Sequence, residues 1–102
     1  MLSLNDNIIF KNMTKEKKDA LQRRWFVYLV QCSDGTFYCG ITTNVERRIY
    51  EHNNSVKGAK YTRGRRPVVL IGYLECDNRS KALIEEARIK KLNRSEKRNL
   101  FL

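Results

Sequence analysis

What the sequence lacks sets its first bounds. Its three cysteines, Cys32, Cys39 and Cys76, are odd in number and show no CxxC spacing. That excludes a disulfide frame or a zinc site and leaves three small apolar residues in a reducing cytosol. No apolar run approaches the roughly 20 residues that span a bilayer, and the N-terminus lacks the basic-then-apolar layout of a signal peptide. The expectation is a cytoplasmic protein with no membrane partner. There is one histidine, His52, and no cluster of carboxylates, which argues against a two-metal site. Acid is scarce too: 11 Asp and Glu face 21 Lys and Arg, a formal charge of +10 over 102 residues. Such a balance favours a polyanionic partner, nucleic acid first and an anionic membrane surface second, with a solvated basic surface as the plain alternative. A chain of this length buries one modest core.

What is present is organised around residues 27–53. Residues 27–31 and 36–41 are two β-rich runs, and Ser33-Asp34-Gly35 between them supplies a tight turn. Thr43-x-x-Glu46 has capping-box spacing and predicts a helix directly after the second strand. On that helix Val45 and Ile49 define a buried stripe. At about 100° per residue, His52 falls on the same stripe and Arg48 roughly 60° to one side. A cation and the sole histidine on an inward face conflict with simple patterning, and such conflicts mark functional sites. Taken singly, Tyr28 and Tyr38 are ordinary strand residues, and a lone histidine on an apolar face is a satisfied core residue. Their convergence is what points to chemistry. Gly40 is read as ending its strand where backbone approaches helix or substrate.

Residues 53–58 are turn-rich. Lys60, Tyr61, Arg63, Arg65 and Arg66 then interleave one ring with four cations, a pattern suited to phosphate contact and base or sugar stacking, or to a solvated loop. Pro67 opens the apolar run 68–74, read as a central or near-central strand joining the hairpin. Asn78 or Ser80 is placed to cap a second helix reaching about Leu92, with Ala82, Leu83, Ala87 and Ile89 as its buried arc. Glu86 falls inside that arc and Glu85 on the solvated side. A buried carboxylate needs a partner: a salt bridge to Arg48, or a hard divalent cation, which takes one or two carboxylates plus water and phosphate. Ser95-x-x-Arg98 begins a short terminal helix that packs Leu100 and Phe101 on the body. The predicted fold class is α+β, a three-stranded antiparallel sheet flanked by α-helices, over residues 25–102. Residues 1–24 are predicted to be a basic extension: scattered apolar residues over 1–12, then a charged, helix-compatible stretch over 14–24 that is either loosely docked or an arm for phosphate.

Val27-Tyr28-Leu29, Tyr38-Cys39-Gly40, then Arg48 and His52, in that order and spacing, resemble the GIY-YIG nuclease family. The resemblance is to its small, single-domain bacterial branch, and it extends from about Trp25 to about Asn93. The run GAKYTRGRRP at 58–67 is typical of that branch, and Leu83-x-x-Glu86-x-x-Ile89 resembles the helix that bears the family's metal-binding Glu. Cys39 stands where the second tripeptide usually has Ile, His52 stands where larger relatives often carry Tyr, and Asn93 is no clear match to a late Asn of larger members.

The resemblance implies phosphodiester hydrolysis in DNA, on branched or damaged structures in repair or recombination, with one Mg²⁺ or Mn²⁺ on Glu86. It casts Tyr38 as positioning or deprotonating the attacking water and Arg48 as stabilising phosphate oxygens. Tyr28 would hydrogen-bond the site, and His52 would relay a proton or orient Tyr38. The alternatives are a nucleic-acid-binding module on the same scaffold without cleavage, and an RNA-associated protein. With no accessory DNA-binding domain in view, a protein partner is one source of specificity.

Overall fold

The structure, a computed structural model, describes Thr14 and residues 24–101. The readings of residues 1–12 and 14–24 therefore lie outside the described residues, apart from Thr14 and Arg24, which are both exposed.

Strand β1 (Trp25–Gln31) turns into β2 (Phe37–Thr42). The turn forms as its residues dictate: Gly35 takes φ 84°, and Asp34 accepts from both the amide and the hydroxyl of Thr36, at 3.1 and 2.6 Å. Helix α1 (Val45–Asn54) follows at once. Its cap is Asn44, whose side chain accepts from the Arg47 amide at 3.0 Å, in place of the expected capping box from Thr43 to Glu46. Asn is a strong N-cap, and its side chain reaches the third helical amide. Residues 60–66, read as a loop, wind into the single turn α2 (Lys60–Arg63). Strand β3 (Val69–Cys76), helix α3 (Arg79–Lys90) and helix α4 (Arg94–Asn99) complete the body.

The three strands form one antiparallel sheet in the order β2-β1-β3. β1 is therefore the central strand and β3 an edge, so the central placing of residues 68–74 does not hold. Val69 is 62% and Tyr73 48% exposed. An apolar run signals burial on average, yet in this one only Val68 is itself buried, with Leu70, Ile71 and Leu74 packed against the two clusters described next.

Alternation along β1 splits the core in two. Val27 and Leu29 join Cys39 and Ile89 on one face, with Leu100 and Phe101 packed against them as expected. Tyr28 and Val30 join Cys32 and Val68 on the other, with Tyr38, Ile49 and Leu70 alongside. Val27, Leu29 and Val30 are each 0% exposed, and burying each such side chain stabilises the fold by about 2 kcal/mol.

Helix α3 lies across the Cys39 face. Asn78 caps it by accepting from the Lys81 amide at 2.9 Å. Its buried line is Ala82 and Ile89 alone; Leu83 is 38% exposed, and Ala87 is exposed as well. The residues one turn from Ala82 are the two glutamates, so the helix touches the sheet along a narrower seam than its apolar content suggests. On the opposite face α1 and α2 pack together, and Asn53 clasps the start of β3 by exchanging two hydrogen bonds with Val68, at 3.0 and 2.7 Å.

Candidate active site

The face that carries Tyr28 also carries Tyr38. The register sets Tyr28 opposite Gly40 and Val30 opposite Tyr38, so the two tyrosines are diagonal neighbours with ring centroids 6.4 Å apart. Gly40 makes this possible. A Cβ there would stand 2.5 Å from the Tyr28 hydroxyl oxygen, inside any real contact. The strand runs on past Gly40 to Thr42, and the close approach at Gly40 is to Tyr28.

Helix α1 delivers Arg48 and His52 to the same place, one turn apart. His52 is completely buried. Its Nε2 lies 2.6 Å from the Tyr28 hydroxyl, its Nδ1 lies 2.9 Å from Thr62 Oγ1, and the Ala59 amide donates to Nδ1 at 3.3 Å. The ring also meets Tyr38 edge-on, with centroids 5.4 Å apart. Burial, and then the positive charge of Arg48, push the His52 pKa down to about 4, so the ring is neutral at pH 7. Burial also pushes the Tyr28 phenol above its ordinary value, against the pull of the neighbouring Arg48 guanidinium. Burial of Arg48 disfavours its charge, but Glu51 and Tyr28 outweigh that and hold its pKa above the usual value. Arg48 Nη1 donates to Glu51 at 3.0 Å and to the Lys57 carbonyl at 2.8 Å.

The basic segment divides into residues that face outward and residues that brace the site. Tyr61 stacks on Tyr38 with centroids 5.8 Å apart and planes 18° from parallel. The Arg65 guanidinium sits 4.0 Å from the Tyr61 ring centre, donating also to the Tyr61 carbonyl at 2.7 Å and to Asp34 at 3.0 Å. Arg63 donates to the carbonyls of Gly58 and Val56, at 3.3 and 2.9 Å. Arg66 donates to the carbonyls of Glu51, His52 and Ser55 and so closes the end of α1, where helix carbonyls otherwise lack partners. Lys60 is exposed. Thr62, fully buried against His52, escaped the sequence reading. Its signal was a hydroxyl residue three positions after Ala59 in an otherwise charged run, where its Oγ1 donates to the Ala59 carbonyl at 2.9 Å.

Glu86 stands apart from this group. It rides on α3, which covers the other face of the sheet, with its side chain 19% exposed and 3.5 Å from Lys90 Nζ. The salt bridge to Arg48 weighed from sequence does not form: Arg48 pairs with Glu51 and Glu86 with Lys90. The carboxylate is felt by Cys39, whose thiol is pushed up to about 11, first by burial and then by the Glu86 charge. Asn93 caps α4 in a reciprocal capping box with Glu96. Among the described residues no three or more His, Cys, Asp or Glu gather in a way that could hold a metal. A lone, partly accessible carboxylate still fits a hard cation that completes its shell with water and substrate phosphate.

Two tyrosines on one sheet face, with an arginine and a histidine from the following helix, are thus brought together in one place. The GIY-YIG catalytic-domain family matches residues 24–99, and the chain belongs to it. Similar proteins include the UPF0213 protein DP2720 of Desulfotalea psychrophila, 59% identical over 76 residues that cover 74% of this chain and 69% of that one. The UPF0213 protein VNG_2274C of Halobacterium salinarum is 53% identical over 75 residues, 74% of this chain and 96% of its own. The solution NMR structure of the UPF0213 protein BH0048 from Bacillus halodurans aligns with a TM-score of 0.48 at 43% identity, covering 76% of this chain and 81% of that one. The family is one of nucleases acting on DNA, generally with a divalent metal. No helix among the described residues is long and apolar enough to cross a membrane.

Proposed function

We propose that this chain is a metal-dependent DNA endonuclease acting on branched or damaged DNA in repair or recombination. The observation that carries this reading is the meeting of Tyr28, Tyr38, Arg48 and His52 on one sheet face. In it, Tyr38 positions the attacking water and the Arg48 cation stabilises charge on the non-bridging phosphate oxygens. Tyr28 hydrogen-bonds the phosphate from the central strand. Glu86 would hold a single Mg²⁺ or Mn²⁺, which when bound would supply charge relief and Lewis acidity. Lys60 and the exposed part of the segment around Tyr61 and Arg65 contact the DNA backbone.

The second reading is a nucleic-acid-binding module with little cleavage. What favours it is the place of Glu86, on the helix covering the opposite face and paired with Lys90.

The test is cleavage of labelled single strand, duplex, flap, junction and RNA, with Mg²⁺, Mn²⁺ or EDTA, beside folded Glu86→Ala and Tyr38→Phe proteins. Metal-dependent cutting that is lost in both variants is the expected result. Cutting that survives Glu86→Ala removes Glu86 as the ligand. Tight, salt-dependent binding without cutting under any metal supports the binding module, and a preference for RNA in competition redirects the substrate.

A further inference from the structure

The polar atoms around His52 determine which ring nitrogen carries the proton. The Ala59 amide points at Nδ1 from 3.3 Å, and an amide nitrogen can only donate. Nδ1 therefore presents its lone pair, and the proton of the neutral ring sits on Nε2. The Thr62 hydroxyl lies 2.9 Å both from that same Nδ1 and from the Ala59 carbonyl, two acceptors for its one proton. The Thr62 amide also donates to the Ala59 carbonyl at 3.0 Å. Thr62 thus fixes Ala59 and the ring as one unit, inside a turn where it has no exposure of its own.

The consequence appears across the ring. With its proton on Nε2, His52 donates to the Tyr28 oxygen 2.6 Å away. The neighbouring Arg48 guanidinium is likewise a donor and never an acceptor. Both polar neighbours that α1 gives Tyr28 are then donors to its oxygen, so the phenolic proton is committed to neither of them.

We propose that Thr62 is a positioning residue that acts through the His52 ring to hold Tyr28 as a hydrogen-bond donor to the scissile phosphate. This rests on the nuclease reading for its substrate but not for its geometry. It also separates the two tyrosines: Tyr28 donates to the phosphate, and Tyr38 is left to handle the water.

The experiment uses the full chain labelled with ¹⁵N. His52 is the only histidine, so a long-range ¹H–¹⁵N spectrum reads a single imidazole. Wild type at pH 7 is expected to show a protonated Nε2 and a bare Nδ1, and Thr62→Ser to keep both. Thr62→Val, equal in shape but without the donor, is expected to shift the Nδ1 resonance. It should also lower kcat on a labelled flap by about tenfold, equal to about 1.4 kcal/mol of transition-state stabilisation, with KM unchanged and activity recovered in Thr62→Ser. A proton on Nδ1 in wild type overturns the proposal, and so does Thr62→Val with unmoved ring resonances and unchanged kcat. Should Thr62→Val fail to fold, Thr62→Ala carries the same two readouts. The ring is read without substrate, so a wild type that never cuts counts against the nuclease reading while the tautomer is judged separately.

Discussion

Gly40 and Tyr28 face each other across the hairpin so closely that the glycine leaves space for the phenol: a Cβ on Gly40 would lie 2.5 Å from the Tyr28 hydroxyl and 2.7 Å from its Cζ. The conflict is with a ring whose hydroxyl is tied to His52, in a strand bonded on both sides, so the ring cannot simply swing aside. Gly40→Ala is expected to destabilise the fold by about 1–3 kcal/mol, the range for overpacking. It should also break the Tyr28–His52 bond. Urea titration measures the first and the His52 ring spectrum the second. A variant with wild-type stability and an unmoved His52 spectrum contradicts this account of the glycine.

Stability should depend on pH through His52. Its folded pKa, about 4, lies below the ordinary value of 6.5. As pH falls below about 6.5 the unfolded chain takes up a proton that the folded chain refuses, so stability drops. The loss continues until pH passes the folded value near 4, and full stability is present above 6.5. A shift of this size corresponds to a few kcal/mol, on the order of 3. The chain has no other histidine, so the slope between pH 6.5 and 5 can be assigned to this ring before the carboxylates titrate. Urea midpoints across that interval should fall in wild type and stay flat in a folded His52→Asn protein.

Much of this site was legible in the sequence because strands and helices have fixed periods. The two strands that carry Tyr28 and Tyr38 were read from their composition, and period 3.6 brought Arg48 and His52 inward, whereas the face the tyrosines share depends on the hairpin register. Edge and centre were not legible for β3, because Val69 and Tyr73 are apolar by type yet exposed by position. The partners of the arginines were hidden for a different reason. Arg63 and Arg66 donate to carbonyls of the backbone between Glu51 and Gly58, and main-chain acceptors carry no residue-type signal. Thr62 was missed likewise, since its role depends on a one-turn helix that its charged neighbours gave no reason to expect.

Tyr61 separates two roles for the exposed ring. It stacks on Tyr38 and is itself covered by Arg65, an arrangement that holds Tyr38 in place. Tyr61→Leu removes an aromatic pair that stabilises by about 0.5–1.5 kcal/mol. If bracing Tyr38 is its main task, kcat falls with KM little changed. If the ring stacks on the DNA, KM rises and kcat holds. The first outcome is expected. Steady-state kinetics on the flap substrate distinguish the two.

Lys60 and Arg66 lie in one basic segment and are expected to fail in opposite ways. Lys60 is exposed. Its replacement by Ala should leave the melting temperature unchanged, weaken binding across all sequences, and reduce the slope of log K against log salt by about 1. Arg66 has guanidinium donors on the carbonyls that end α1, one of them the carbonyl of His52 itself. Arg66→Ala should therefore cost about 1.5–3 kcal/mol of stability, the range for hydrogen bonds to charged groups. It should also disturb the His52 ring resonances, since the backbone that carries the imidazole loses its tie. A net charge of +10 makes every cation in this chain look like a phosphate contact. The salt slope and the melting curve, measured on this pair, separate cations that meet DNA from cations that hold the helix in place. Equal salt slopes for the two variants would place Arg66 on the DNA.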